Sequence, residues 1–529
     1  MERTLGRVSP AGDPRRRERL LTLVVALAAL GIGIAGVLWR HGLGLGLTSD
    51  STEYLSVAYN LAHGRGLVDF GGTPLVTWPP LYPVLVAAGI LAGLPIMGAV
   101  GVINVGSLVA TGVCAFRLAR RTADEGVAIL TTAAVVLAGA VTFVSSFAWS
   151  EPPYIALSLV TLWSYLRWRE RGGWGRALGC GLAVTAAFLT RYGGVDLIAA
   201  LALAALIEGP SPRRARTLAD LRRDAGRPTM AARLRAGVMT GLVTGVGPAL
   251  WVVRNLVVSH SAFGFRPPAN EGLSYELVSY VHAFEAQLIG PLAVTTAFWL
   301  AASLGLGAGL TLYAFAHAEG APTDRVVGRR TTLVLALYGI VFTIDSIYTS
   351  VATAIDRFDT RLMAPVVPVV LLLVGVLVGR SRSTWRRLGV TGLAVLALYQ
   401  FSASAQTFVV AGGLPVPIPR ADAGGLVRAV DRLAPSVGVI TDVPSALWAF
   451  DPGRRIERAP LHEVYNSSLV LPLPRSFVRA VARHPVIYAY FGYPVSWTPQ
   501  AMAAAGVRVR LLHQFPDGQE YLVGGSSGR

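Results

Sequence analysis

The chain has 529 residues, 53% hydrophobic and 15% charged, with a net charge of +17 and a mean hydropathy of +0.53. A soluble globular chain is nearer a quarter charged, and runs such as Leu20–Leu38, Gly126–Val144 and Thr331–Ile344 approach the roughly 20 apolar residues of a membrane crossing. The arginines gather in Arg15–Arg19, Arg167–Arg176, Arg213–Arg235, Arg325–Arg330 and Arg380–Arg387, each beside an apolar segment. That is the positive-inside pattern and not the basic, aromatic-studded face of a nucleic-acid module, so nucleic acid is excluded as a partner.

In chain order, residues 1–19 read as a cytoplasmic N-terminus and Leu20–Arg40 as an uncleaved first crossing. His41–Thr77 then forms the first outer loop. Three apolar segments follow: Trp78–Leu94, Gly98–Ala119 and Gly126–Ala148. Pro79, Pro80 and Pro83 break the first, which is expected to be partial or re-entrant, with its irregular backbone covered by protein or facing water. Pro152–Trp168, Ala177–Thr190, Gly194–Ile207, Ala236–Val258, Gln287–Phe315, Thr331–Ser350, Leu362–Val378 and Leu388–Val410 alternate through the bilayer, with the arginine blocks inside. Cys114 and Cys180 lie within apolar segments and supply no disulfide framework. Residues 20–411 are thus a transmembrane domain of about 11–13 transmembrane helices. Residues 412–529 form a small extracytoplasmic α/β domain, with helices at Gly424–Leu433 and Ser445–Phe450 and strands at Val437–Ile440, Val486–Tyr490, Val507–Leu512 and Glu520–Val523.

The first outer loop carries the chemistry-bearing pattern. From Asp50 to Leu61 the spacing predicts a short amphipathic helix, with Asp50 and Tyr54 on one side and Glu53 close by. Asp50-x-x-Glu53 also fits a capping box, which requires no catalytic role. Arg65, Tyr82, Glu151, Arg191-Tyr192, Arg254, His260 and Asp356-Arg357-Phe358-Asp359-Thr360-Arg361 all fall at the same outer face under this threading. Glu151 after Ser150 also fits a helix start, Arg191 and Arg254 also fit snorkelling, and His260 also fits a solvated loop. Charge near the membrane is costly and usually pairs or works. Acids and arginines at one face suit transfer of a sugar from an anionic lipid carrier: a carboxylate takes the acceptor's proton and cations stabilise the departing phosphate.

The set Asp50…Tyr54…Ala58…Leu61…Gly64-x-Gly66, Pro79-Pro80-Leu81-Tyr82-Pro83, Ser150-Glu151, Thr190-Arg191-Tyr192 and Arg361-Leu362-x-x-Pro365-x-x-Pro368 resembles the C-type glycosyltransferase superfamily, nearest its bacterial protein O-mannosyltransferase and aminoarabinose-transferase-like branch. The resemblance implies a multi-pass protein of the plasma membrane with short helices in the first outer loop. It implies a polyprenyl-phosphate sugar donor and a glycan, lipid or protein acceptor. Carried over residue by residue, it makes Asp50 the base and Glu151 a second acid. Glu53, Tyr54, Arg65, Tyr82, Arg191, Tyr192, Arg254, His260, Arg357 and Arg361, which the threading gathers at the outer face, are the candidate substrate-binding residues. Some members hold a divalent metal (Mg, Mn or Ca) and others none. The sequence departs from the pattern in having Ser51 after Asp50 and Trp78 before the Pro-Pro, where relatives often carry a second acid and a lysine. A lipid-linked saccharide transporter or flippase would show internal repeats, and none is visible. A non-catalytic cell-envelope assembly protein would not need Asp50 and Glu151.

Overall fold

The structure is a computed structural model that describes residues 14–39, 45–209, 229–288, 322–355, 358–381, 383–409, 424–449, 451–463, 470–493 and 495–524. Most of the expected Gln287–Phe315 crossing, and Asp356 with Arg357, lie outside the described residues. The helices in chain order are α1 (Pro14–Trp39), α2 (Ser49–Ala62), α3 (Leu81–Leu91), α4 (Ile96–Ala119), α5 (Glu125–Val136), α6 (Gly139–Val144), α7 (Glu151–Arg171), α8 (Trp174–Thr190), α9 (Val195–Glu208), α10 (Met230–Ser259), α11 (Leu273–Leu288), α12 (Pro322–Ala352), α13 (Thr360–Met363), α14 (Val367–Arg380), α15 (Ser383–Val409), α16 (Gly425–Asp431), α17 (Pro444–Trp448), α18 (Arg475–Arg483) and α19 (Pro499–Ala504). The strands are β1 (Val439–Thr441), β2 (Ile456–Arg458), β3 (Val486–Tyr490), β4 (Val509–Phe515) and β5 (Gly518–Val523).

Among the described residues, Arg16–Gly36, Ile96–Ala119, Met230–Ser259 and Val326–Ala352 are long and apolar enough to cross a membrane. Their outward faces display leucines and valines such as Leu23, Leu27, Leu242 and Leu250, which water would penalise and lipid does not. The protein is therefore a membrane protein. α3 has 11 residues, about 16 Å of helix against a hydrocarbon core of about 30 Å. The expected single segment Gly126–Ala148 is instead two helices, α5 and α6. Leu137 and Ala138 interrupt the hydrogen-bond ladder, and the Gly139 amide donates to the Gln400 side chain at 2.8 Å.

The C-terminal residues build one mixed sheet in the order β2-β1-β3-β5-β4, with β1 parallel to β2 and β3, and β5 antiparallel to β3 and β4. The expected strands are present. β2, α18 and α19 were not anticipated: β2 is only three residues long, with one buried, too short to show an alternation. One sheet face (Val439, Ile487, Ala489) shares a hydrophobic cluster with Tyr54, Leu55 and Ala58 of α2 and with α3. The other face (Ile440, Tyr488, Val523) packs under Val481 of α18 and Met502 of α19. The sheet is thus seated on the first loop, and the Phe70 carbonyl accepts from the Ile456 amide of edge strand β2.

Trp448, 3% exposed, belongs to that shared cluster. Trp448→Ala is expected to cost about 3–5 kcal/mol. In detergent this should read as a lower thermal midpoint and faster proteolysis of the C-terminal domain.

Candidate active site

The site begins at the start of α2. Thr48 is the N-cap, and its capping box closes with Ser51: the Ser51 amide donates to Thr48 Oγ1 and the Thr48 amide to Ser51 Oγ. The capping box expected for Asp50-x-x-Glu53 is therefore replaced by one two residues earlier, because a threonine in extended conformation precedes the acid. Asp50 in the first turn is left free to meet Arg361 Nη2 at 2.6 Å. Trp149 Nε1 donates to Thr48 Oγ1 at 2.8 Å, and the Arg361 guanidinium lies over the Trp149 ring at 4.4 Å.

Glu151 opens α7, with Pro152 and Pro153 in the first turn, where no amide hydrogen is missed. It is 0% exposed. One carboxylate oxygen receives Arg191 Nη1 at 2.7 Å and also Arg361 Nε. A single guanidinium, Arg361, therefore joins Asp50 to Glu151. α13 sets its position: the Asp359 carboxylate caps the helix by accepting from the Arg361 amide at 2.9 Å and the Leu362 amide at 3.0 Å. Arg191 projects from the turn that follows α8. A Cβ on Gly194 would sit 2.4 Å from the Phe188 backbone, so only glycine lets that turn fold back this tightly.

Around the ion cluster lies a shell of hydroxyls and rings. Tyr54 OH and Ser150 Oγ are 3.1 Å apart, and Arg191 Nη1 also donates to Ser150 Oγ. Tyr54 stacks edge-on against Tyr82 at 5.2 Å and lies 5.6 Å from Trp78. Burial pushes the Tyr54 hydroxyl well above its ordinary range. The Tyr82 hydroxyl and Glu151 Oε2 are buried without a hydrogen-bond partner among the described residues. Tyr192 OH donates to the Val76 carbonyl at 2.6 Å and accepts from Trp251 Nε1 and Asn255 Nδ2. Arg254 reaches the Leu75 carbonyl, and Arg266 donates to the Thr77 carbonyl at 3.0 Å over the Trp78 ring. Neither forms an ion pair with a carboxylate among the described residues, and burial lowers the Arg266 guanidinium's hold on its proton.

The structure thus brings Asp50, Glu151, Arg191, Arg361 and Tyr54 together in one cluster, with Tyr82 packed on Tyr54 and with Tyr192 and Arg254 along residues 75–78. Glu53 faces elsewhere: it accepts from Trp78 Nε1 at 2.8 Å and pairs with Arg458 of β2 at 3.1 Å. Arg65 bonds Asn60 near the far end of α2, ten residues or about 15 Å of helix from Asp50. His260 is an exposed C-cap in left-handed conformation (φ 55°), and no contact ties it to the cluster among the described residues. Arg357 lies outside the described residues. Sequence reasoning missed Arg266, Arg458 and Trp149. The Arg266-Pro267-Pro268 run echoes Trp78-Pro79-Pro80 and was a usable signal; Arg458 offered none.

A divalent metal does not fit this acid set. Asp50 and Glu151 are engaged by Arg361, Glu151 also by Arg191, and Glu53 by Arg458. Among the described residues no three His, Cys, Asp or Glu side chains converge. The cations available here are guanidinium groups.

No protein-family model matches the chain, and no curated protein matches it in sequence. Solved structures do share its fold. ArnT from Cupriavidus metallidurans in the apo state superposes with a TM-score of 0.59 at 14% identity, covering 97% of this chain and 98% of that one. The same protein bound to undecaprenyl phosphate gives 0.59 at 14%, covering 96% and 98%. The Archaeoglobus fulgidus oligosaccharyltransferase in complex with zinc and sulfate gives 0.51 at 13%, covering 88% and 68%. The chain has the C-type glycosyltransferase fold.

Two outcomes follow from this geometry. Removing one partner of a buried ion cluster costs about 3–5 kcal/mol, so Glu151→Gln should lower the thermal midpoint far more than Glu53→Gln. Burial raises the Glu53 carboxyl above its ordinary 4.5, against the opposing pull of Arg458. For a raised acid the stabilising contribution is full below pH 4.5 and is lost as pH rises through the folded value. Glu53→Gln should therefore flatten the decline in midpoint over that window, measured by thermal unfolding at stepped pH.

Proposed function

We propose that the protein is a membrane glycosyltransferase that moves a sugar from a polyprenyl-phosphate donor to an acceptor hydroxyl at the outer membrane face. The observation that carries this reading is the Asp50–Arg361–Glu151–Arg191 cluster, built by segments far apart in sequence and flanked by Arg254 and Arg266, which have no carboxylate partner among the described residues. The binding of undecaprenyl phosphate by a protein of the same fold supports the donor class. In this reading the N-terminus is cytoplasmic. Residues 20–411 form the transferase domain, and residues 412–529 form an extracytoplasmic domain seated over the first loop.

The reaction proceeds by displacement. Asp50 accepts the proton of the acceptor hydroxyl as its oxygen bonds to the anomeric carbon. The bond from that carbon to the phosphate oxygen breaks, and polyprenyl phosphate leaves with the electron pair. Arg266 and Arg254 hold the donor phosphate near residues 75–78. Arg361 gives up one arm from Asp50 to the phosphate as charge develops there, which both steadies the leaving group and frees the Asp50 carboxylate to act as base. Glu151, still held by Arg191, keeps Arg361 in place.

Reconstituted protein with radiolabelled polyprenyl-phosphate sugars and candidate acceptors tests this. Asp50→Asn should lower turnover about 10²–10⁴-fold while leaving polyprenyl-phosphate binding intact. Arg266→Ala should weaken donor binding about tenfold. Full turnover by Asp50→Asn overturns the base assignment, and sugar crossing the bilayer without a new glycosidic bond overturns the transferase reading.

A further inference from the structure

The C-terminal domain carries a basic surface that the chemistry above does not use. From residue 464 to residue 516 the chain contains no aspartate or glutamate, yet it holds Arg475, Arg479, Arg483, Arg508 and Arg510. The first three lie on α18 at intervals of four residues, so they form one stripe with a cation about every 6 Å along the helix axis. All three are exposed, and among the described residues none pairs with a carboxylate. They are not what holds α18 in place: Phe477 and Val481, on another side of the helix, join the cluster beneath it.

Beside the stripe lies an open groove of about 460 Å³. Val478 and Ala482 line it from α18, Ala503 and Gly506 from α19 and the turn after it, and Val507 and Arg508 from the approach to β4. Around the helix, Ala482 falls between Val478 and the arginines, so groove and stripe are continuous. The sheet separates this surface from the first loop, because α2 and α3 pack on one sheet face and α18 and α19 on the other. The surface therefore faces away from the loop on which the sheet is seated, which does not suit a bilayer headgroup layer. An apolar floor with a cationic rim suits a chain that offers C–H surface together with an anion at each repeat. A sugar polymer bearing carboxylates or phosphates has both, and arginine forks engage either anion. A single exposed ion pair is worth little, but a row of cations engages a row of anions together.

We propose that this groove and the Arg475, Arg479 and Arg483 stripe dock an acidic glycan chain, which is the acceptor if the transferase reading above holds. The full-length protein in nanodiscs of zwitterionic lipid is titrated with oligogalacturonate and with phosphorylated dextran, each against its uncharged counterpart (the methyl ester and plain dextran). At least one acidic chain should bind, more weakly as salt rises, and about tenfold more tightly than its counterpart. Replacing Arg475, Arg479 and Arg483 together by serine should weaken that binding about tenfold while leaving the thermal midpoint and undecaprenyl phosphate binding unchanged. Ala482→Trp, which fills the groove without altering charge, should weaken it as well. The proposal is overturned if neither acidic chain outbinds its counterpart or if the triple variant binds as the native chain does. It is equally overturned if poly-glutamate or phosphatidylglycerol vesicles bind more tightly than both sugar chains. Docking is read without any transfer, so a glycan that docks but is never extended counts against the transferase reading alone.

Discussion

Glu151 has no exposure to solvent, and a carboxylate in that position must be matched by cations or the fold does not hold. The match is made twice, by Arg191 and Arg361. Meeting that demand shapes the surrounding chain. The turn after α8 must fold back tightly enough to require Gly194, α13 must be capped by Asp359 to aim Arg361, and α2 must begin at Thr48 so that Asp50 can take the other arm of the same guanidinium. Segments near residues 50, 151, 191 and 361 are thereby tied to one point, and the helices carrying them are ordered around it.

The aromatic shell makes that cluster electrostatically strong. Trp149 lies under Arg361, and Tyr54, Tyr82 and Trp78 stack beside it. These rings exclude water on one side, and charges interact more strongly where the surroundings polarise less. The C-terminal sheet adds to the cover. It shares a hydrophobic cluster with α2, and Arg458 of its edge strand pairs with Glu53 one helical turn from Asp50. The α/β unit thus contributes to holding the helix that bears the acid, in addition to whatever it does at its own surface.

The fold class, the C-terminal strands and the clustered acids Asp50 and Glu151 were readable in the sequence because each leaves a local signature: apolar runs, short β-branched stretches, an acid before a proline-rich helix start. What was not readable was set by contacts between distant segments. The split between α5 and α6 depends on Gln400, more than 250 residues away in sequence. The engagement of Glu53 by Arg458 spans some 400 residues, and an arginine in a three-residue edge strand carries no pattern of its own. Arg65 and His260 drew attention through their place in an outer loop, but a loop position says nothing about which end of a helix faces the site. The capping box was misplaced by two residues for a simpler reason: Thr48 and Asp50 are both good N-caps, and only the backbone conformation at Thr48 separates them.

A site whose cations are guanidinium groups differs physically from one assembled around a metal. Arginine keeps its charge at any physiological pH, and its planar fork engages two oxygens at once. Once folding has positioned Arg191 and Arg361, the field at the site exists before any substrate arrives. The same permanence creates a difficulty, because a base held by a fixed cation is a poor proton acceptor. In the reaction proposed for this site, Arg361 resolves it by sharing. Its contact with Asp50 runs through one nitrogen and its contact with Glu151 through another, so an incoming phosphate can compete for the Asp50 side without uncovering the buried Glu151. In the proposed transferase reaction, arrival of the anionic donor would release the base, and the acceptor's proton would be taken only when there is a leaving group for Arg361 to hold.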